Sequence, residues 1–557
     1  MSNRAVLMMS ICACFIAGCP SQPTMPGFDT GSGGDGGSDG GSDAGAPTAD
    51  SGRDVGIDAA TSVDADIDAF RTDAGRPVIA TSDPAPASSI VHVGTSGLLL
   101  RGTVLTPTGI LNPGEVLVTG NTITCVAADC SAAAGASTAT IIDTHATISP
   151  GLIDGHNHLT YDFLPEWIPP HLYMNRYQWR ADASYSAWTH PEGDSDNNGT
   201  QDTGAQCPGA KWGELRSIIH GTTTVQGQAP ASSCLDRLAR NADAHTGLGA
   251  DIARTTISGA CESGFPTRAS LVGSFTAPTN PTTRFYVHMG EGYANSGTAT
   301  RTDPLREFGC FDGTDTLYPA ASLLEDPSMM PYGTAVFIHA MPLTSAQLDR
   351  TFAQRAHIVW SPSSNMVLYG QTADIAGMLA RGIRVGLGPD WTPSGSDEML
   401  SEMRFAQQYG ASHSIGALTA EQIWRMSTID GADVVGLAPI GTIAVGQRAD
   451  IAVFGRTSTD PYQAVIDSRA DDVRLVLIDG LGYYGDAALQ ASTAVNTSCE
   501  AFDACGTPKY LCAANTPGSM TATSRFAETV ADIHGQLQTI LAAYSRTDLL
   551  ELVDCSL

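Results

Sequence analysis

Two histidines one residue apart, His156 and His158, close a short apolar run in ISPGLIDGHNHL, residues 148–159. Along a β-strand, side chains at i and i+2 share a face, so both imidazoles can converge on one ion. An HxH triplet alone fits a decorated surface strand equally well, and the rest of the chain has to decide. Three later runs end the same way. FYVHMGEG places His288 after an apolar strand with Glu291 three residues on, VFIHAM places His339, and IRVGLGPDW places Asp390. In a parallel barrel, functional side chains gather where strands end at the carboxyl face. The bland readings are histidines satisfied by backbone at 288 and 339, a turn aspartate before Pro393 and a solvated acid at 291.

The elements that must position these groups can be read around them. Residues 151–435 alternate β-like runs (222–225, 284–288, 335–339, 357–360, 383–387) with helical stretches, including TAEQIWRMSTIDGADVVGL with Thr419 and Gln422 as a capping box. Such alternation implies parallel strands with crossover helices, and the length suits an α/β fold, a TIM-like (β/α)8 barrel. Short β-type runs in 89–150 and again in 436–490 imply one composite β-sandwich built from both flanks, with the barrel inserted between its halves. An insertion over 161–212 carries Trp167, Tyr173, Tyr177, Trp179, Tyr185 and Trp188, and either roofs the carboxyl face or packs as its own lobe. Residues 491–557 read as a disulfide-stapled extension with a helix over 525–544.

PGLIDGHNH, the HGTTT run at 220–224, HMGE, the His339 strand, SPSSN at 361–365 and GLGPD together resemble the amidohydrolase superfamily, over residues 97–486. The HxxE pair, His288 with Glu291, resembles the branch of cytosine deaminase, guanine deaminase and the triazine hydrolases, which use one metal, zinc or iron. The resemblance implies that His156, His158, His288 and Asp390 hold that ion with a position open for water, chemistry that suits three neutral imidazoles and a carboxylate. Such an ion lowers the pKa of water from 15.7 to about 7. Asp390 would take the water's proton, His339 would steady the attacking oxygen, and Glu291 would shuttle the proton to a ring nitrogen or leaving group. Two-metal relatives use a bridging lysine, but the only lysines here are Lys211 and Lys509, neither on the fourth strand; Glu262 is the remaining candidate bridge. The implied activity is hydrolysis at a C–N bond, first deamination of a nitrogen heterocycle, with hydrolysis of a cyclic amide or imidazolone as the alternative. A non-catalytic surface binding lipoprotein is the reading from another class. Two differences bear on substrate transfer: Pro389 precedes the aspartate, fixing its own φ, and SPSSN follows Trp360 where deaminases often begin Cys-Pro.

Composition bounds the partners. The formal charge of −29 speaks against nucleic acid, although eleven Asp fall within residues 27–74 alone. Residues 1–18 have the charge-then-apolar order of a secretion signal. Ile16-Ala17-Gly18-Cys19 resembles a bacterial lipobox, which implies a lipid anchor at Cys19 and a place in the cell envelope, at the outer membrane, in the periplasm or facing outward. Residues 19–88, rich in Gly, Ser and Asp, read as a disordered tether. Ten of the thirteen cysteines remain after the leader, suited to an oxidising compartment, and sequence proximity pairs Cys125 with Cys130 and Cys499 with Cys505. Asp194, Asp196, Asn198 and Asp202 follow the opening of a calcium loop; a solvated Asp/Asn turn is the alternative, and Ala205 at the twelfth position excludes an EF-hand.

Overall fold

The computed structural model describes residues 83–193, 206–227, 238–243, 246–248, 253–278, 281–295, 301–317, 330–514 and 528–555. The leader, most of the tether and the Asp194–Asp202 motif lie outside them. Five strands come first: β1 Ser89–His92, β2 Leu98–Thr106, β3 Gly109–Thr119, β4 Thr122–Ala127 and β5 Thr140–Pro150. After Gly151 the chain enters eight further strands: β6 Leu152–Asn157, β7 Thr222–Gly227, β8 Arg240–Asn241, β9 Ala253–Thr256, β10 Arg284–Met289, β11 Ala335–His339, β12 His357–Trp360 and β13 Val385–Leu387. Helices run between most of them, among them Gln206–Ile219, Pro304–Asp312, Ser345–Ala353 and Pro362–Tyr369. Every residue of β6, β7, β11, β12 and β13 is buried, as continuous apolar strands covered on both faces must be.

Strands β6 to β8 pair in parallel, and so do β9 to β13. Two narrow junctions join these sets into a ring. Between β8 and β9, Ala253 N–H donates to Ala242 O at 3.1 Å. Between β13 and β6, Asp390 N–H donates to His156 O at 3.0 Å and His158 N–H donates to Asp390 O at 2.7 Å, a parallel bridge centred on Asn157 and Asp390. The result is the eight-stranded parallel barrel expected of the alternation. Gly388 permits this last approach, because a Cβ there would fall 2.5 Å from His156 N.

The flanks come together outside the barrel. Strands β14 Ile451–Phe454, β15 Val473–Ile478 and β16 Leu481–Asp486 follow the barrel helices. Strand β14 pairs antiparallel with β5, Val453 opposite Ile148, so both flanks share one ten-stranded sheet. The hairpin β17 Glu500–Ala504 and β18 Thr507–Leu511 adds to the edge of that sheet at β16. The C-terminal extension therefore continues the sheet instead of standing apart as an appendage. Its helix, Val530–Ala543, is opened by a capping box of Thr529 and Asp532.

The hairpin also corrects one disulfide. Cys125–Cys130 forms as its spacing suggests, but Cys499 pairs with Cys512 and Cys505 with Cys555. Cys499 and Cys505 flank the two ends of β17, and an extended strand rises about 3.3 Å per residue, which carries them beyond disulfide reach. Antiparallel pairing of Glu500 with Leu511 brings Cys512 beside Cys499 instead. Among the described residues no helix is long and apolar enough to cross a membrane.

Candidate metal centre and active site

All six site residues expected from the sequence meet at the carboxyl face. His156 lies in β6 and His158 just beyond it; His288 is near the end of β10, with Glu291 past the Gly290 turn; His339 ends β11; Asp390 follows β13. His339 and Asp390 sit in the left-handed region, at φ 66° and 74°. Non-glycine residues hold that conformation only where the surroundings impose it, as they often do at functional sites. One donor atom from each of His156, His158, His288 and Asp390 lies within 4.8 Å of the others, and a donor set of His288, Glu291 and His339 adjoins it.

Partners behind the histidines fix which ring nitrogen faces inward. His156 Nδ1 lies 2.9 Å from Gln226 Oε1, and the Gln226 amide is oriented by donating to Asp243 and Thr255. His288 Nδ1 donates to the Thr256 carbonyl at 3.2 Å. His339 Nδ1 lies 3.0 Å from Asn365 Oδ1, with the amide again oriented because Asn365 Nδ2 donates to Thr372. An acceptor behind each ring puts the proton on Nδ1 and leaves an Nε2 lone pair pointing into the site. Ser364 Oγ donates to Asp390 Oδ2 at 2.7 Å and leaves Oδ1 toward the histidines.

The donor set fits a divalent cation on this geometry alone. His156 Nε2 is buried without a hydrogen-bond partner and lies 3.3 Å from Asp390 Oδ1, with His158 Nε2 at 3.5 Å from the same oxygen. A lone pair facing a carboxylate in a buried site is unfavourable without positive charge between them. Burial and the neighbouring His156 pull the His158 pKa down to about 4, and burial with the surrounding imidazoles pushes His288 well below the ordinary histidine range. Both rings are thus held neutral, the form that ligates. Glu262, the one candidate bridge, accepts from Gly259 N–H, Tyr177 OH and Arg176 and belongs to neither donor set.

The acid has its own support. Tyr369 OH donates to Glu291 Oε1 at 2.7 Å, and Trp179 Nε1 donates to Tyr369 OH at 2.6 Å. His339 Nε2, buried and unpartnered, lies 3.7 Å from Glu291 Oε2. Arg176 Nη1 lies 3.9 Å from that oxygen. The roof reaches Glu291 because Asn175 bridges to Gly292 and Arg176 N–H donates to Glu291 O. Gly292, at φ 130°, allows it: a Cβ there would fall 2.5 Å from Asn175 Cα. The described residues 161–193 of the insertion form a roof and not a separate lobe. Its Tyr161, Trp179 and Tyr185 join His158, Glu291 and Trp391 around a cavity of about 180 Å³.

Sequence reasoning missed Gln226, Asn365, Tyr369, Trp179 and Arg176. Gln226 was within reach, since it follows Thr222 and Thr224 at the period of two that sets one face of a strand. Asn365 stands in the SPSSN run, whose role the sequence left open. Trp179 was among the aromatics of the insertion but without a role, and Tyr369 and Arg176 carry no local signal, because their place depends on how the roof docks.

The fold and donor set define a parallel α/β barrel with a divalent-cation centre at its carboxyl face. Residues 312–481 match the amidohydrolase family. A 5-methylthioadenosine/S-adenosylhomocysteine deaminase of Desulfitobacterium hafniense is 34% identical over 157 residues, 27% of this chain and 36% of that protein; the chain spans about a third of the length of that relative. The protein of the same name from Carboxydothermus hydrogenoformans is 24% identical over 413 residues, 66% of this chain and 87% of its own. A solved triazine hydrolase variant shares the fold at 19% identity and a TM-score of 0.51, over 70% of this chain and 95% of that one. Residues 312–481 are thus similar to the amidohydrolase family, and the fold is one shared with a solved hydrolase.

Proposed function

We propose that the protein is a metal-dependent hydrolase of C–N bonds that removes ammonia from an aminated nitrogen heterocycle. The observation that carries this reading is a supported acid, Glu291, sharing one cavity with a four-donor cation site. The deaminase names of the sequence relatives support it. His156, His158, His288 and Asp390 would hold one zinc or iron ion, both of which accept imidazole and carboxylate. When bound, that ion supplies the Lewis acidity that makes a water nucleophilic near neutral pH.

The remaining work belongs to side chains. Asp390 takes the water's proton. His339, with its Nδ1 proton committed to Asn365, turns its Nε2 lone pair into the site, where it accepts a hydrogen bond from the attacking oxygen and holds it in place. Glu291, starting protonated, gives its proton to the ring nitrogen; the proton held by Asp390 passes to the departing amine, which leaves as ammonia as the attacking oxygen becomes a carbonyl, and that oxygen's second proton returns to Glu291. Each such proton transfer contributes about 10² to 10⁴ in rate. The leader and the disulfides Cys125–Cys130, Cys261–Cys310, Cys499–Cys512 and Cys505–Cys555 support an exported, lipid-anchored protein.

Metal analysis of the purified protein beside His156→Ala and Asp390→Ala, with ammonia release measured on a panel of aminated heterocycles, tests the reading. About one zinc or iron per chain, lost in both variants together with ammonia release, is the expected result. Two tightly held ions would overturn the single-ion centre, and ring opening without ammonia would replace deamination by hydrolysis of a cyclic amide.

A further inference from the structure

The roof contributes two cations to the cavity, and only one of them is spoken for. Arg176 and Arg180 lie one helical turn apart, at the start and the C-cap of the short helix Arg176–Trp179, and both line the cavity. Arg176 is buried among Glu262 at 3.3 Å, Glu307 at 3.5 Å and Glu291 at 3.9 Å. Arg180 is exposed at the mouth, and its side chain makes no hydrogen bond, ion pair or ring contact among the described residues. Only its backbone N–H is engaged, donating to Arg176 O.

The cavity therefore has two distinct ends. Its inner end presents Glu291 beside the four donors His156, His158, His288 and Asp390, where the reacting carbon has to lie. Its wall is a set of aromatic rings, Trp391 with Tyr161 at 5.4 Å and with Trp179 and Tyr185 at 5.8 Å, which offers faces to a planar ring. Its mouth holds the Arg180 guanidinium, without a side-chain partner among the described residues, whose fork matches carboxylate and phosphate oxygens. Resting on the deamination reading, we propose that the substrate is a planar aminated heterocycle bearing an anionic substituent, carboxylate or phosphate, which Arg180 binds at the mouth. The anion points outward, so the amine-bearing carbon points toward Glu291 and the cation centre.

The test uses the metal-loaded full chain and aminopurines and aminotriazines, each with one side chain ending in carboxylate, in phosphate or in the near-isosteric carboxamide. The wild type should turn over one of the charged forms with kcat/KM about tenfold or more above the carboxamide, the size of one charge-assisted hydrogen bond. Whichever charged form leads identifies the anion. In Arg180→Gln that ratio should fall toward one, and Arg180→Lys should restore part of it. A carboxamide as good as both anions in the wild type, or a ratio that survives Arg180→Gln, overturns the proposal. Failure of the deamination reading shows separately, as no ammonia from any compound. Calorimetric binding of charged and carboxamide forms to the wild type and Arg180→Gln then still decides the role of Arg180 by the same ratio.

Discussion

At the scale of single residues, the site depends on what stands behind its working groups. The hydrogen bond from Tyr369 to Glu291 is donated by a hydroxyl whose pKa is pushed far up, first by burial and then by the Glu291 charge, so it stays a donor throughout. Tyr369→Phe removes it and leaves the aromatic packing. A hydrogen bond to a charged group contributes about 1.5–3 kcal/mol, so kcat should fall by roughly tenfold or more while KM barely moves, and steady-state kinetics would show the split. A KM increase at unchanged kcat would assign Tyr369 to substrate binding instead. The candidate ligands were legible in the sequence because each is a polar residue at the end of an apolar run, a local pattern. Tyr369 and Trp179 were not, because a tyrosine closing a helix and a tryptophan in an insertion look like ordinary core until the two elements meet.

At the scale of elements, buried polar contacts couple the helices that surround the centre. Glu402, on the helix Met399–Ser412, is wholly buried and accepts from Ser363 and Ser396, tying that helix to Pro362–Tyr369, which carries Ser364, Asn365 and Tyr369. Burial raises its pKa from the usual 4.5 to about 7, against the hydrogen bonds from the two serines. Between those values the folded form keeps the proton while the unfolded form has lost it. Stability from this group is therefore present at low pH and declines as pH rises from about 4.5 through about 7. Glu402→Gln, which cannot titrate, should flatten that part of the curve, so the difference in Tm between variant and wild type should grow in the variant's favour from pH 5 to pH 8. An unchanged difference across that range would show that Glu402 is ionised in the folded protein. The strands and their order were legible from periodicity, whereas the docking of the roof on Gly292 was not. It rests on one glycine whose need for φ 130° appears only against Asn175.

At the scale of the whole molecule, the C-terminal segment straps the sheet to the barrel. Leu550 O accepts from Trp212 Nε1 and from Arg216, Leu550 N–H donates to Phe163 O, and Cys505–Cys555 ties the end of the segment to the β17–β18 hairpin. By the chain-entropy account, a link closing 50 residues stabilises by about 4 kcal/mol. Cys555→Ser should accordingly lower Tm by several degrees under non-reducing conditions, and the difference from wild type should vanish when both proteins are reduced. Equal Tm values for the oxidised wild type and the variant would show that the strap holds without its covalent tie. Cysteine spacing alone led to the wrong partner for Cys505, because the turn of a hairpin reverses which residues are neighbours.

The barrel's last junction has a temporal consequence. The hydrogen bonds that close β13 onto β6 are made by Asp390 with His156 and His158, so the contacts that complete the ring are those of the ligands themselves. Some 230 residues separate these partners along the chain, and contacts of such separation are entropically costly and tend to form late in folding. A growing chain cannot possess the four-donor set until residue 390 has emerged and the ring has shut. On the proposed single-ion reading, acquisition of the ion thereby becomes the signature of a finished barrel.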